Sequence, residues 1–89
     1  MQTRLSKEVI KKLEKIHKQD KKLSTKIEKQ LTIFAQNPKH PSLRLHKLSG
    51  ELQNLWSISI TKEVRMVYIK SDNEAYFTDI GTHEEVYRK

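Results

Sequence analysis

The sequence contains no cysteine, two glycines, two prolines and one tryptophan among its 89 residues. Without cysteine, neither a disulfide nor a thiolate metal site can stabilise it, which fits a reducing cytoplasm. No apolar run nears the roughly 18 residues of a membrane span, and the N-terminus has no apolar signal-peptide stretch. These absences point to a cytoplasmic protein with no membrane partner. Four histidines scattered along a chain without cysteine make no zinc motif, so no metal and no cofactor are expected. Acidic residues are scarce beside basic ones, 11 against 18, which leaves a net charge of +7. On so small a surface that field favours polyanions, nucleic acid first and an acidic protein second. The plain alternative is a lysine-coated soluble domain. The length predicts one domain over residues 1–89, able to bury about 60–65% of its unfolded surface.

What is present has a clear periodicity. Residues 1–5, MQTRL, read as a short strand, with Ser6 as a helix N-cap. From there to Asn37 the chain has neither glycine nor proline. Val9, Leu13 and Ile16, then Leu23, Ile27, Leu31 and Phe34, recur every three or four residues, the spacing of an apolar helical stripe. One helix of about 30 residues would be about 45 Å long, too long for this domain. A break is therefore expected in HKQDKKLST, with Asp20 or Thr25 as the second cap. Thr25 and Glu28 have the form of a capping box. The segment NPKHPS ends the second helix.

The remainder reads as strands. SLRLHKL alternates, and LWSISIT sets Trp56, Ile58 and Ile60 against Ser57, Ser59 and Thr61. VRMVYIK is apolar except at Arg65, as in a central strand. SDNE is a hairpin turn, and AYFTDI is the last strand before Gly81. The fold class is α+β: a short N-terminal strand, a helical hairpin and a four-stranded antiparallel sheet with the hairpin on one face. The other face is expected to be open, carrying Ser57, Ser59, Thr61 and Arg65 as a floor for a phosphate backbone.

The segments NPKHPSLRLHKLSGELQNLWSISI, VRMVYI and DIGTHEEVY resemble the toxins of the RelE/ParE superfamily. They are most similar to the YafQ-like branch of mRNA endonucleases in type II toxin–antitoxin pairs. The resemblance implies metal-free cleavage of mRNA in the ribosomal A site, contact with ribosomal RNA, and a cognate antitoxin that holds the toxin inactive. It places His83 at the catalytic histidine, His46 at a second active-site histidine and Arg65 at the arginine that faces the scissile phosphate. Tyr87 falls at the C-terminal aromatic and Glu63 near an acidic position. Arg44 and Lys47, in the same block as His46, join Tyr87 and Glu63 as substrate-binding candidates. The chain departs from the RelE type where Ser57, Ser59 and Thr61 replace strand lysines.

The chemistry agrees with these residue types. Attack by a 2′-hydroxyl needs a base, an acid for the leaving 5′-oxygen and a cation at phosphorus. Histidine fits either of the first two roles, and the planar arginine fork fits the third. Which histidine is base and which is acid stays open. Each residue also has a plainer reading: His46 as a polar residue on an edge strand, Arg65 paired with Glu63 or Asp79, Tyr87 packed back on the sheet, Trp56 in the core. His17 and His40 read as structural or solvated, and the lysines of the first helix as a solvated face. Two further functions remain alongside the nuclease: a non-catalytic ParE-like gyrase inhibitor, and a degenerate toxin that only binds antitoxin or RNA.

Overall fold

The computed structural model describes residues 1–48 and 54–87. Residues 49–53, within the block that carries the resemblance, and the last two residues of the tail lie outside the described residues.

Strand β1 (Gln2–Leu5) leads into helix α1 (Lys7–Gln19), capped by Ser6, whose side chain accepts from Val9 N at 3.1 Å. The chain breaks at Asp20. Its N–H donates to Ile16 O, closing α1, while its carboxylate accepts from Leu23 N at 3.1 Å and opens α2 (Lys21–Gln36). One residue thus serves both helices, through its backbone N–H for α1 and its carboxylate as the N-cap of α2, while Thr25 lies inside α2. Helix α2 stops at Asn37, before the first proline.

SLRLHKL departs from the expected strand. Pro41, which has no N–H to give a ladder, instead opens a 3₁₀ turn over Pro41–Leu43, and His40 Nδ1 accepts from Ser42 N. Arg44 follows in the left-handed region, at φ 46°. Only His46–Lys47 remain as strand β2. Next come β3 (Leu55–Ser59), β4 (Val64–Ser71) and β5 (Glu74–Thr82). Asp72 and Asn73 form the β4–β5 turn, with Asp72 at φ 52°.

The sheet runs β1-β5-β4-β3-β2, with β1 parallel to β5 and every other pairing antiparallel. The first strand therefore joins the four expected ones. Val67 pairs with Asp79 and Tyr68 with Phe77, so Thr78 is an extra residue on β5, a β-bulge.

The helical hairpin covers one face. Phe34 of α2 is fully buried, its ring centroid 5.0 Å from that of Tyr68 and 5.4 Å from that of Phe77. Val9, Ile27, Leu43, Ile58, Ile60, Met66, Ala75 and Ile80 complete this core, with Trp56 half-buried at its margin. Burial of each large side chain contributes about 1.5–3 kcal/mol. Burial also pushes the Tyr68 hydroxyl up to a pKa of about 12. Lys12 of α1 reaches Asp79 of β5 at 2.9 Å, an ion pair that ties the hairpin to the sheet.

Candidate active site

The face away from the hairpin is only partly open. After β5 the chain turns into a short helix, α3 (His83–Tyr87), beyond the last element expected from the sequence. Thr82 and Glu85 start it. Thr82 N donates to Glu85 Oε1 at 2.8 Å, and Glu85 N donates to Thr82 Oγ1 at 3.2 Å. This is a reciprocal capping box, and it places His83 at the first helical position. Gly81 leaves room beneath it: a Cβ there would lie 2.6 Å from Glu85 Oε1, and the carboxylate would have to shift out of its bond to Thr82 N.

Helix α3 changes the fate of the serines. Ser57 is completely buried and Ser59 nearly so, where exposure was expected. Tyr87 closes over Ser57, its hydroxyl 2.6 Å from Ser57 Oγ. The same Oγ accepts from Arg65 Nε at 3.0 Å. Ser59 turns aside, its Oγ donating to Thr61 O at 2.9 Å. A small hydroxyl suits this position because it can accept from the arginine and pair with the phenol at once.

Arg65 is therefore held in place. Besides Ser57, its Nη2 donates to Arg44 O at 2.8 Å, the carbonyl that the left-handed turn presents. Among the described residues no acceptor bonds Nη1. Arg65 pairs with Gly81 across the β4–β5 ladder, so nothing on that neighbour blocks the guanidinium.

The two histidines meet at Tyr87. The His83 ring stands edge-on to it, with centroids 4.1 Å apart, and the His46 ring lies 6.2 Å away. His46 arrives by register, since β2 pairs it with Ser57. The structure thus gathers His83, His46, Arg65 and Tyr87 around one serine.

The other candidates fall elsewhere or contribute differently. Lys47 pairs with Trp56, one step along the ladder and so on the opposite face, with its Nζ 5.6 Å from the indole centroid. Glu63 is exposed in the β3–β4 turn, where its N–H donates to Thr61 Oγ1. Arg44 enters through its backbone carbonyl. His17 and His40 lie apart from the cluster, their Nδ1 atoms bonded to Ser24 and Ser42 hydroxyls. Ser57 was the residue missed as a participant, since polar alternation on a strand ordinarily signals water. The Thr82–Glu85 box was legible as T-x-x-E but lay beyond the last expected element.

Among the described residues, no group of three histidine or acidic side chains is placed to hold a metal ion. Among them, too, no helix is long and apolar enough to cross a membrane.

This arrangement of hairpin, sheet and tail is the fold of known toxins. The YoeB–YefM complex from Staphylococcus aureus holds a chain similar at TM-score 0.75 and 23% identity, covering 93% of this chain and 97% of that one. The E. coli DinJ–YafQ complex gives 0.77 at 17% identity, with 96% of each chain covered. A YoeB/ParE toxin from Agrobacterium tumefaciens gives 0.76 at 21% identity, covering 93% and 99%. A comparison with curated proteins finds no match. The family model described as the bacterial toxin of type II toxin–antitoxin systems, YafQ, matches residues 1–88. The chain belongs to the YafQ family and is a type II toxin.

Proposed function

We propose that this toxin, a single domain over residues 1–89, is an mRNA endonuclease that works at the ribosomal A site without a metal ion. The observation that carries the proposal is the junction at Tyr87: two histidine rings beside one phenol, which is tied through Ser57 to an anchored arginine.

In the proposed reaction one histidine takes the proton of the substrate's 2′-hydroxyl, and the 2′-oxygen attacks the adjacent phosphorus. The bond from phosphorus to the 5′-oxygen breaks, and the other histidine gives that oxygen a proton. The products are a 2′,3′-cyclic phosphate and a 5′-hydroxyl, and no water is consumed. Arg65 supports the extra negative charge. Ser57 and the Arg44 carbonyl hold its Nε and Nη2, which leaves Nη1 for a phosphate oxygen. Tyr87 supplies an aromatic face for stacking a base as well as the link to Ser57. We assign His83 the larger role because its ring packs closest to Tyr87.

The ribosome would hold the mRNA in the geometry that this small surface cannot impose alone. The net charge of +7 suits contact with ribosomal RNA. The YoeB–YefM and DinJ–YafQ structures are complexes with a second protein, and we infer a cognate antitoxin here as well.

The test is primer extension on a defined mRNA in a bacterial translation extract. Wild type is expected to leave breaks at in-frame positions. His83→Ala should lower them by about 10²–10⁴-fold, the usual worth of a general acid or base. Its unfolding free energy should stay within about 0.5 kcal/mol, as for an exposed side chain. Wild-type breaks from folded His83→Ala would sink the assigned role. No breaks from either protein would leave the ParE-like or binding-only readings.

A further inference from the structure

Beside the histidine cluster lies a groove of ≈ 860 Å³ between α2, the 3₁₀ turn and the end of β3, and Arg65 forms part of its wall. Its size is that of a pocket for a small ligand or part of a polymer. Its lining is unlike the rest of the surface. Five of twelve lining residues are lysine or arginine (Lys26, Lys29, Arg44, Lys62 and Arg65), against about one in five along the chain, and none is acidic.

Two features concentrate that charge. Neither Lys26 nor Lys29 has an acidic residue three or four positions away on α2, so neither has a same-face ion-pair partner on the helix, and the two lysines repel each other at i, i+3. Among the described residues, none of Lys26, Lys29, Arg44 and Lys62 forms an ion pair. Gln30 fixes the floor: almost wholly buried, it donates from Nε2 to Ser59 O at 2.9 Å and to Ser42 O at 3.2 Å. This clasp ties α2 to β3 and to the turn that presents Arg44. The cations are thus mounted on a braced wall, and their mutual repulsion would be relieved by an anion.

We infer that this groove is a second phosphate subsite, which takes the backbone of single-stranded RNA running on from the phosphate at Arg65. The inference rests on the nuclease reading for the identity of its polyanion. Arg65 borders both the histidine cluster and the groove, so a strand seated on it continues along Arg44 and Lys62 towards Lys26 and Lys29. Phosphate contacts of this kind set register and affinity, and base identity plays no part in them.

The experiment measures the affinity of a short single-stranded RNA carrying 2′-O-methyl groups, which bars cleavage, across a series of salt concentrations. Each phosphate contact contributes about 0.7 to the slope of log affinity against log salt for a single strand. The double variant Lys26→Gln, Lys29→Gln should flatten that slope by about 1.4, two contacts at that value. Lys21→Gln, Lys70→Gln removes the same charge away from the groove and should change the slope by much less. Equal changes in the two doubles would reduce the groove to general surface charge and overturn the subsite. So would a groove variant unchanged toward RNA but weakened toward its antitoxin. Cleavage in the translation extract, scored in parallel, separates the two readings. A wild type that cuts, with an unchanged slope in the groove variant, refutes the subsite alone. A wild type that does not cut, with the expected slope change, refutes the nuclease and leaves an RNA-binding groove.

Discussion

The two faces of this sheet are built on different principles. Under the hairpin, Phe34, Tyr68 and Phe77 meet ring to ring within a mainly apolar cluster, and packing dominates the fit. Under α3, beside the buried Val86, hydrogen bonds set the geometry: Tyr87 with Ser57, Arg65 with Ser57 and with the Arg44 carbonyl. A packed face loses free energy in proportion to the atoms removed, whereas a hydrogen-bonded face loses geometry first. Stability should therefore reside on one side of the sheet and activity on the other.

The strongest way to break this contrast is Phe34→Ala. Removing a fully buried ring should cost about 3–5 kcal/mol, read by chemical denaturation, and cleavage should fall only as far as the folded fraction does. If cleavage by the folded fraction were lost as well, the hairpin face would be part of the site.

Ser57→Ala probes the other side. Stability should drop by about 0.5–1.5 kcal/mol, the net worth of a hydrogen bond to half-buried partners that water can still reach. Cleavage should fall roughly tenfold to a hundredfold, because Arg65 and Tyr87 lose their common anchor. A variant that cuts like wild type would show that the serine hydroxyl merely fills space.

The smallest effect appears only in alkali. Tyr68 titrates near 10 when unfolded and near 12 in the core, because burial disfavours the phenolate. The folded state binds this proton more tightly, so the contribution is fully present below pH 10 and is lost as pH rises to about 12. Unfolding followed across that window should show the decline, and Tyr68→Phe should remove this part of it. An equal decline in Tyr68→Phe would assign the alkaline loss to other groups.

Much of this contrast is legible in the sequence, and its limits have physical causes. The hairpin and its core follow from spacing: Val9, Ile27 and Phe34 lie on the expected stripes, and Ser6 and Asp20 cap as short polar side chains do. His83, His46, Arg65 and Tyr87, far apart in the sequence, lie near one another, linked through Tyr87 and Ser57. Lys47 does not, because strand alternation sends it to the other face beside Trp56. The burial of Ser57 is hidden because it depends on five residues of helix that arrive thirty positions later. The 3₁₀ turn over Pro41–Leu43 and the left-handed Arg44 interrupt an alternating pattern that looked like strand, because proline's fixed φ suits the first position of a helical turn.

Thr78 adds one residue to β5, and its effect is a change of phase. Before it, Phe77 faces the hairpin; after it, Ile80 does so, an odd step that a regular strand forbids. Were Thr78 paired with Val67 in a regular ladder instead of bulged out, Asp79 would be driven into the apolar layer, Ile80 would point away from it, and Gly81 would leave its place beside Arg65. The tail helix would then depart from the wrong side of the sheet. Parity along one strand therefore determines which face His83 and Tyr87 reach, independently of their chemistry.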